Sequence, residues 1–293
     1  MSLLAHADHH MTHSGWDLYT IVPVAAIAII TMTYTVLAVQ RRREPRSWSL
    51  WRTASFLLGA VLLILALVPA LSPYPAGDFR GHMHQHLLLG MYGPLALVLG
   101  APMTLLLRSI PRRHGQKIGR ILRSRPAHLL AHPIVTLTLT IGGLGALYFT
   151  PLYAAASDSP PLHALIHLHF LLTGYLYAWV IAGPDPAPRR PSVYARLVLL
   201  GVAIAAHAVI SQLIYAGLFT QVPVTADELR GAGSLMYYGG DIAELLLALA
   251  LLANWRPNRA IHSTPRRDPA RTWSGYVATG PKNGQTASRH NSS

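Results

Sequence analysis

The stretch GHMHQHLLLG places His82, His84 and His86 at alternate positions directly ahead of an apolar run, and His163, His167 and His169 open a second such run. Imidazole nitrogens ligate copper, zinc and haem iron. Residues four apart share a helix face, so His82 and His86 project together while His84 points nearly opposite. His163 and His167 form a matching pair, with His169 turned away. In both sets a glycine follows the first histidine by eleven residues, Gly93 and Gly174, and small residues let membrane helices approach closely. Two such pairs on apposed helices could offer four imidazoles to one metal ion, or axial ligands to a haem. The plain alternative is a set of amphipathic rings hydrogen-bonded to loop backbone at an interface.

Other polar residues interrupt apolar sequence. His207 lies near the middle of one run, and Asp241 and Glu244 lie inside SLMYYGGDIAELLLALALL. Buried carboxylates in a membrane face the bundle interior and mark an ion path or a paired site. Asp241 could orient a ligating histidine from behind, or either acid could be a structural partner of a tyrosine, a serine or His207. Met83, Met91 and Met236 fall at similar depth; thioethers favour Cu(I), although methionine also serves as packing filler. His6, His9, His10 and His13 form a further His-rich tract at the N-terminus, which could collect metal or be only a polar tail.

These residues must be positioned by membrane helices. The chain has 293 residues, 52% of them hydrophobic and 12% charged. Apolar runs of roughly 18 or more residues, the length that crosses about 30 Å of hydrocarbon, suggest seven spans near 17–39, 54–71, 83–107, 129–149, 163–182, 193–219 and 234–254. The expected fold is all-α: a polytopic membrane protein with one seven-helix transmembrane domain over 17–255, a His-rich extracytoplasmic tail at 1–16 and a basic disordered tail at 256–293. The net charge of +13 follows the same topology. All but Arg80 and Arg230 of the 24 lysines and arginines fall on one side of the spans, which puts the N-terminus outside and the C-terminus in the cytoplasm. That asymmetry accounts for the charge without a nucleic-acid partner. With no cysteine, disulfides, thiolate metal sites and CxxC redox chemistry are excluded. The segment MSLLAHADHHMTHSGWD lacks a basic leader, so no cleaved signal is expected.

At GHMHQHLLLGMYGPLALVLGAP the sequence resembles the CtaG family of multi-span assembly factors for caa-type cytochrome c oxidase. The family pattern matches at His82, Met83, Gln85 and His86, then at Gly100, Ala101 and Pro102. A second match is HFLLTGYLYAWVIAGPDPAP, His169 to Pro188, and a third, weaker one runs through ADELRGAGSLMYYGGDIAELLLALALLANW. Here Glu228 replaces the usual Gln, Tyr237 replaces a Trp, and His84 stands where an apolar residue is common. The resemblance implies a seven-helix protein of the bacterial plasma membrane that helps build cytochrome c oxidase and handles copper for its metal centres. On the second histidine set the pattern favours His169, whereas the four-residue spacing favours His163 and His167; all three stay open.

The leading expectation is a non-enzymatic copper-binding assembly factor. It would receive the ion, expected as Cu(I), at the outer face from extracytoplasmic donor proteins and pass it to oxidase subunits. Its ligands would come from His82, His86, His163, His167, His169, Met83 and His207, with Asp241 alongside. One alternative is a haem-carrying electron-transfer protein clamped by histidines of the third and fifth spans. The other, weaker alternative is an intramembrane hydrolase with a His-bound zinc and Asp241 or Glu244 as base.

Overall fold

The computed structural model describes residues 17–45, 47–187 and 190–255. The two terminal tails expected from the sequence, including His6 to His13, lie outside the described residues. Among those described, all regular structure is helical. The helices are α1 (Leu18–Arg42), α2 (Leu50–Leu67), α3 (Phe79–Leu87), α4 (Gly93–Leu99), α5 (Pro102–Ser109), α6 (Arg112–Leu122), α7 (Arg125–Leu130), α8 (Pro133–Phe149), α9 (Leu152–Ser157), α10 (Pro160–Ala182), α11 (Val193–Ala216) and α12 (Ala226–Ala253). Five of them, α1, α2, α10, α11 and α12, are long and apolar enough to cross a membrane. Their outward faces carry exposed residues such as Ile29, Met32, Leu58, Val209 and Leu249, as expected where lipid is the solvent.

The expected third and fourth spans are less regular than the sequence suggests. Residues Phe79–Leu99 form a helical run that is bent by 41° against α5, and the two together have the composition of one span. Helix α8 is apolar but has 17 residues, roughly 25 Å at 1.5 Å per residue. Its predicted start near 129 gives way to Pro133, with His132 as the cap, because proline suits the first helical position and not the interior. At the other end, α12 begins eight residues before the predicted 234. Thr225 caps the helix there, its hydroxyl accepting from the Glu228 amide and donating to the Glu228 carboxylate, and an apolar-run search is blind to such a polar first turn.

The bend has a defined cause. Ala101 adopts the left-handed conformation (φ 51°) and Pro102 follows it, so the α4 helix cannot continue. Backbone groups freed inside a membrane must find partners, and here distant side chains reach several of them. The Tyr34 hydroxyl donates to the Gly100 carbonyl at 2.7 Å, and Ser55 donates to the Ala96 carbonyl at 2.7 Å. On the far side of the break, Asp185 accepts from the Met103 and Thr104 amides at 3.0 and 2.8 Å and from the Thr104 hydroxyl. The Gly-Ala-Pro and Gly-Pro-Asp-Pro stretches are thus two halves of one structural joint. The carbonyls at the end of α10 are closed in the same way: Arg196 donates to Ile181 and Asn254 to Ala182.

The basic residues follow this frame. Helix α6 buries no residue; Arg112, Arg113, Lys117 and Arg120 lie on one face, while Ile118, Ile121 and Leu122 lie on the other, the pattern of a helix resting in an interface plane.

Candidate metal centre

The histidines of α3 are held by its first turn. Asp78 caps the helix by accepting from the Arg80 amide at 2.8 Å, and Glu228 of α12 accepts from the Phe79 amide at 3.1 Å. The Arg80 side chain, bonded to Asp78, lowers the Asp78 pKa below the usual carboxylate range. Gln85 donates to the Ala66 carbonyl at 3.0 Å, which pins α3 against the end of α2. A π-helical turn, Leu88–Tyr92, then joins α3 to α4; such wide turns are frequent at functional sites. Pro94 has no N–H to return to the Gly90 carbonyl, and at this point α10 makes its closest approach. A Cβ placed on Gly174 would stand 2.0 Å from the Gly90 oxygen. The predicted close contact through Gly174 is present, but its partner is Gly90. Gly93 instead packs on Leu63 of α2, 2.7 Å from where its Cβ would lie.

This crossing fixes two tiers of imidazoles. In the upper tier His82 of α3 meets His163 and His167 of α10, with one ligand nitrogen from each lying within 4.8 Å of the other two. The His163 and His167 rings lie 4.3 Å apart, and His82 is 6.2 Å from His163. Aromatic side chains wall off His82: Phe79 stacks on it, and Tyr148 and Tyr153 present edges at 6.0 and 5.0 Å. The His82 and His167 Nε2 atoms are buried without a hydrogen-bond partner. A cavity of about 550 Å³, lined by His82, Gln85, Tyr74, Tyr153 and His163, lies directly beside the tier.

The lower tier is one turn deeper. His86 lies 6.4 Å from His207 of α11, ring centre to ring centre, and His207 Nδ1 lies 3.9 Å from Glu244 Oε1 of α12. His86, His207 and Glu244 line a cavity of about 50 Å³ with Thr140, Thr173 and Tyr177. His207 fits there because α12 has glycine opposite it: a Cβ on Gly240 would sit 2.1 Å from its ring.

The four-imidazole arrangement suggested by the spacing is therefore not formed. His82, His163 and His167 converge, while His86 belongs to the deeper tier with His207. His169 points elsewhere, its Nε2 against Gly143 of α8 and its ring beside Phe170. His84 faces Tyr74 at 6.1 Å, away from both tiers, as the helical spacing predicts. Met83 and Met236 are fully buried in an apolar cluster with Phe79, Leu144, Tyr148 and Ile214, and the Met83 sulfur already accepts from the Tyr148 hydroxyl at 3.9 Å. Met91 lines the lower cavity. Glu244, and not Asp241, meets His207; Asp241 is absent from the lining of that cavity. Tyr177, Tyr153 and Gly240 were not singled out by the sequence, although the Gly-Gly pair ahead of Asp241 is a visible sign of close approach.

Chemically, the upper tier is a set of three imidazole donors beside a cavity of about 550 Å³. Three imidazoles at ~2.0 Å around a trigonal ion would stand about 3.5 Å apart, so the trio needs to contract by little more than an ångström. Such donors suit copper of either valence and zinc.

A family model described as cytochrome c oxidase caa3 assembly factor matches residues 32–258. The chain is similar to an uncharacterized protein of Mycobacterium leprae, 29% identical over 260 residues that cover 82% of this chain and 39% of the relative. It is equally similar to uncharacterized proteins of Mycobacterium bovis and Mycobacterium tuberculosis, each 29% identical over 273 residues, covering 86% of this chain and 41% of the relative. The chain thus spans about two fifths of the length of these curated relatives. No solved structure matches.

Proposed function

Because the chain belongs to the family of cytochrome c oxidase caa3 assembly factors, we propose that it captures copper for that enzyme at His82, His163 and His167 and hands it to oxidase subunits. The observation that carries this reading is the convergence of one ligand nitrogen from each of the three histidines within 4.8 Å, where His82 and His167 each keep a buried Nε2 without a partner. An unsatisfied buried nitrogen costs on the order of 1–3 kcal/mol, and an ion is the partner that satisfies all three at once. The adjoining cavity supplies the route by which a donor protein's ion would enter and leave.

The seven-span topology, with the N-terminus and this tier outside and the basic loops in the cytoplasm, belongs to the same proposal. It is supported by the five long apolar helices, the bent pair and α8, together with the placement of Arg41, Arg42, Arg108 and α6. It seats the protein in a bacterial plasma membrane. Copper is cargo in this scheme, so no reaction is catalysed: the imidazoles bind, the aromatic wall limits water, and Phe79 with Tyr153 restrains the His82 ring. A single ion fits the site better than a porphyrin, since α10 and the α3–α4 turn touch at Gly174 and Gly90 immediately below.

The test is metal binding by the full chain in detergent. Joint His82→Ala, His163→Ala and His167→Ala replacement is expected to remove one equivalent of Cu(I), and to lower cytochrome c oxidase activity in membranes of the host. His84→Ala and His169→Ala should do neither. Unchanged copper stoichiometry in the triple variant would overturn the assignment, and a Soret band or retained zinc in the wild type would replace copper with haem or zinc.

A further inference from the structure

We propose that the lower tier is a second ion site, separate from the upper one, in which His86 and His207 hold the same cargo ion and Glu244 balances its charge. The inference rests on the copper reading above and extends it by one step into the membrane.

Three observations converge on this tier. First, it concentrates orphaned polar atoms: both ring nitrogens of His86 and of His207, Glu244 Oε2 and the Tyr177 hydroxyl are all buried without a partner. Polar groups this far inside a membrane are costly unless something occupies the space between them. Second, that space exists, a cavity of about 50 Å³ bordered by those side chains, large enough for an ion or a few waters and too small for an organic ligand. Third, the geometry differs from that of the upper tier. His86, His207 and Glu244 do not close on one point as the upper trio does. Instead the two imidazole rings lie with their centres 6.4 Å apart and their planes at 35°. Two rings bound on opposite sides of one ion at ~2.0 Å per bond have centres roughly 6.2 Å apart. Two-coordinate binding of that kind is a habit of Cu(I) and not of zinc or Cu(II), which take more ligands.

Glu244 completes the chemistry. His207 turns Nδ1 toward the carboxylate at 3.9 Å, which leaves Nε2 as the nitrogen for an ion. A small movement makes the hydrogen bond by which a carboxylate orients a ligating histidine. One monovalent ion and one carboxylate sum to zero charge, the condition under which a charge is tolerated in a low-dielectric interior. The tiers are related by one turn of α3, since His82 and His86 are four residues apart, about 6 Å along the helix axis.

The experiment titrates Cu(I) anaerobically into the detergent-purified full chain against a chromophoric competitor. Wild type is expected to bind two ions. Joint His86→Ala and His207→Ala replacement is expected to bind one, and the upper triple variant also one, with an X-ray absorption signature of two nitrogens. Glu244→Gln, which keeps shape and polarity, is expected to weaken the lower site about 10–100-fold and leave the upper affinity unchanged. One ion in wild type, lost with the upper trio and indifferent to Glu244→Gln, would overturn this inference and leave the upper assignment standing. One ion lost with His86 and His207 but kept by the upper triple variant would overturn the upper assignment alone. No bound copper would overturn both.

Discussion

Gly174→Ala is expected to separate the two helices that carry the histidines and to be among the most damaging single-methyl changes in the chain. The added Cβ would meet the Gly90 carbonyl oxygen at 2.0 Å and its carbon at 2.8 Å. Both are backbone atoms, so no rotamer change relieves the clash, and the helices must move apart. Overpacking costs typically about 1–3 kcal/mol where side chains can adjust; here we expect about 3 kcal/mol or more, with loss of the 4.8 Å trio. Thermal unfolding of the detergent-solubilised protein, paired with Cu(I) affinity, reads both effects. The control is Gly142→Ala or Gly201→Ala, where a Cβ would meet nothing within 4 Å and stability should be unchanged or slightly raised. Equal stability of Gly174→Ala and these controls would show that α10 and the α3–α4 turn do not cross at this point.

Asp185→Ala should be the second most costly change, and its effect is purely structural. The carboxylate is buried, 1% exposed, and holds the first two free amides of α5 together with the Thr104 hydroxyl. Removing it deletes a helix cap, worth about 0.5–2 kcal/mol, and leaves buried donors unpaired at on the order of 1–3 kcal/mol each. A loss of about 3 kcal/mol is expected, with new protease cleavage between 100 and 110. Asp185→Asn keeps one acceptor oxygen and should fall between. Upper-site copper stoichiometry should survive in whatever fraction remains folded, because the joint lies at the opposite end of the α3–α4 run from His82. Wild-type protease resistance in Asp185→Ala would mean that the cap contributes little.

These two residues show which parts of the molecule the sequence made legible. The apolar runs and the charge asymmetry announce a polytopic helical protein, and the four-residue spacing correctly brings His163 and His167 to one face with His82 opposite. Spacing alone could not reveal that His86 leaves this group. Its depth is set by where α10 crosses α3, and that crossing is located by Gly90, not by the Gly93 that matched Gly174 in register. The Gly-Ala-Pro and Gly-Pro-Asp-Pro stretches were visible as signatures, yet their meaning is a contact between residues more than 80 positions apart, which no local pattern encodes. Asp241 and Glu244 are equally anomalous as letters in an apolar run. Only the rotation of α12 against α11, made close by Gly240, decides that Glu244 is the one His207 meets.

The wide turn at Leu88–Tyr92 also acts as a ruler. An ordinary α-helix would cover the same rise with fewer residues per unit length, so the turn stores a slip between the chain before it and the chain after it. Deleting one residue there would remove the wide turn and leave a continuous helix ending at the same Gly100 joint. It would rotate everything upstream by about 100°, carrying His82 and His86 off the faces of α10 and α11 without altering any histidine. The count of residues from His86 to Pro94 is therefore as much a part of the centre as the imidazoles, and an insertion or deletion in this stretch would disable it while leaving every ligand in the sequence.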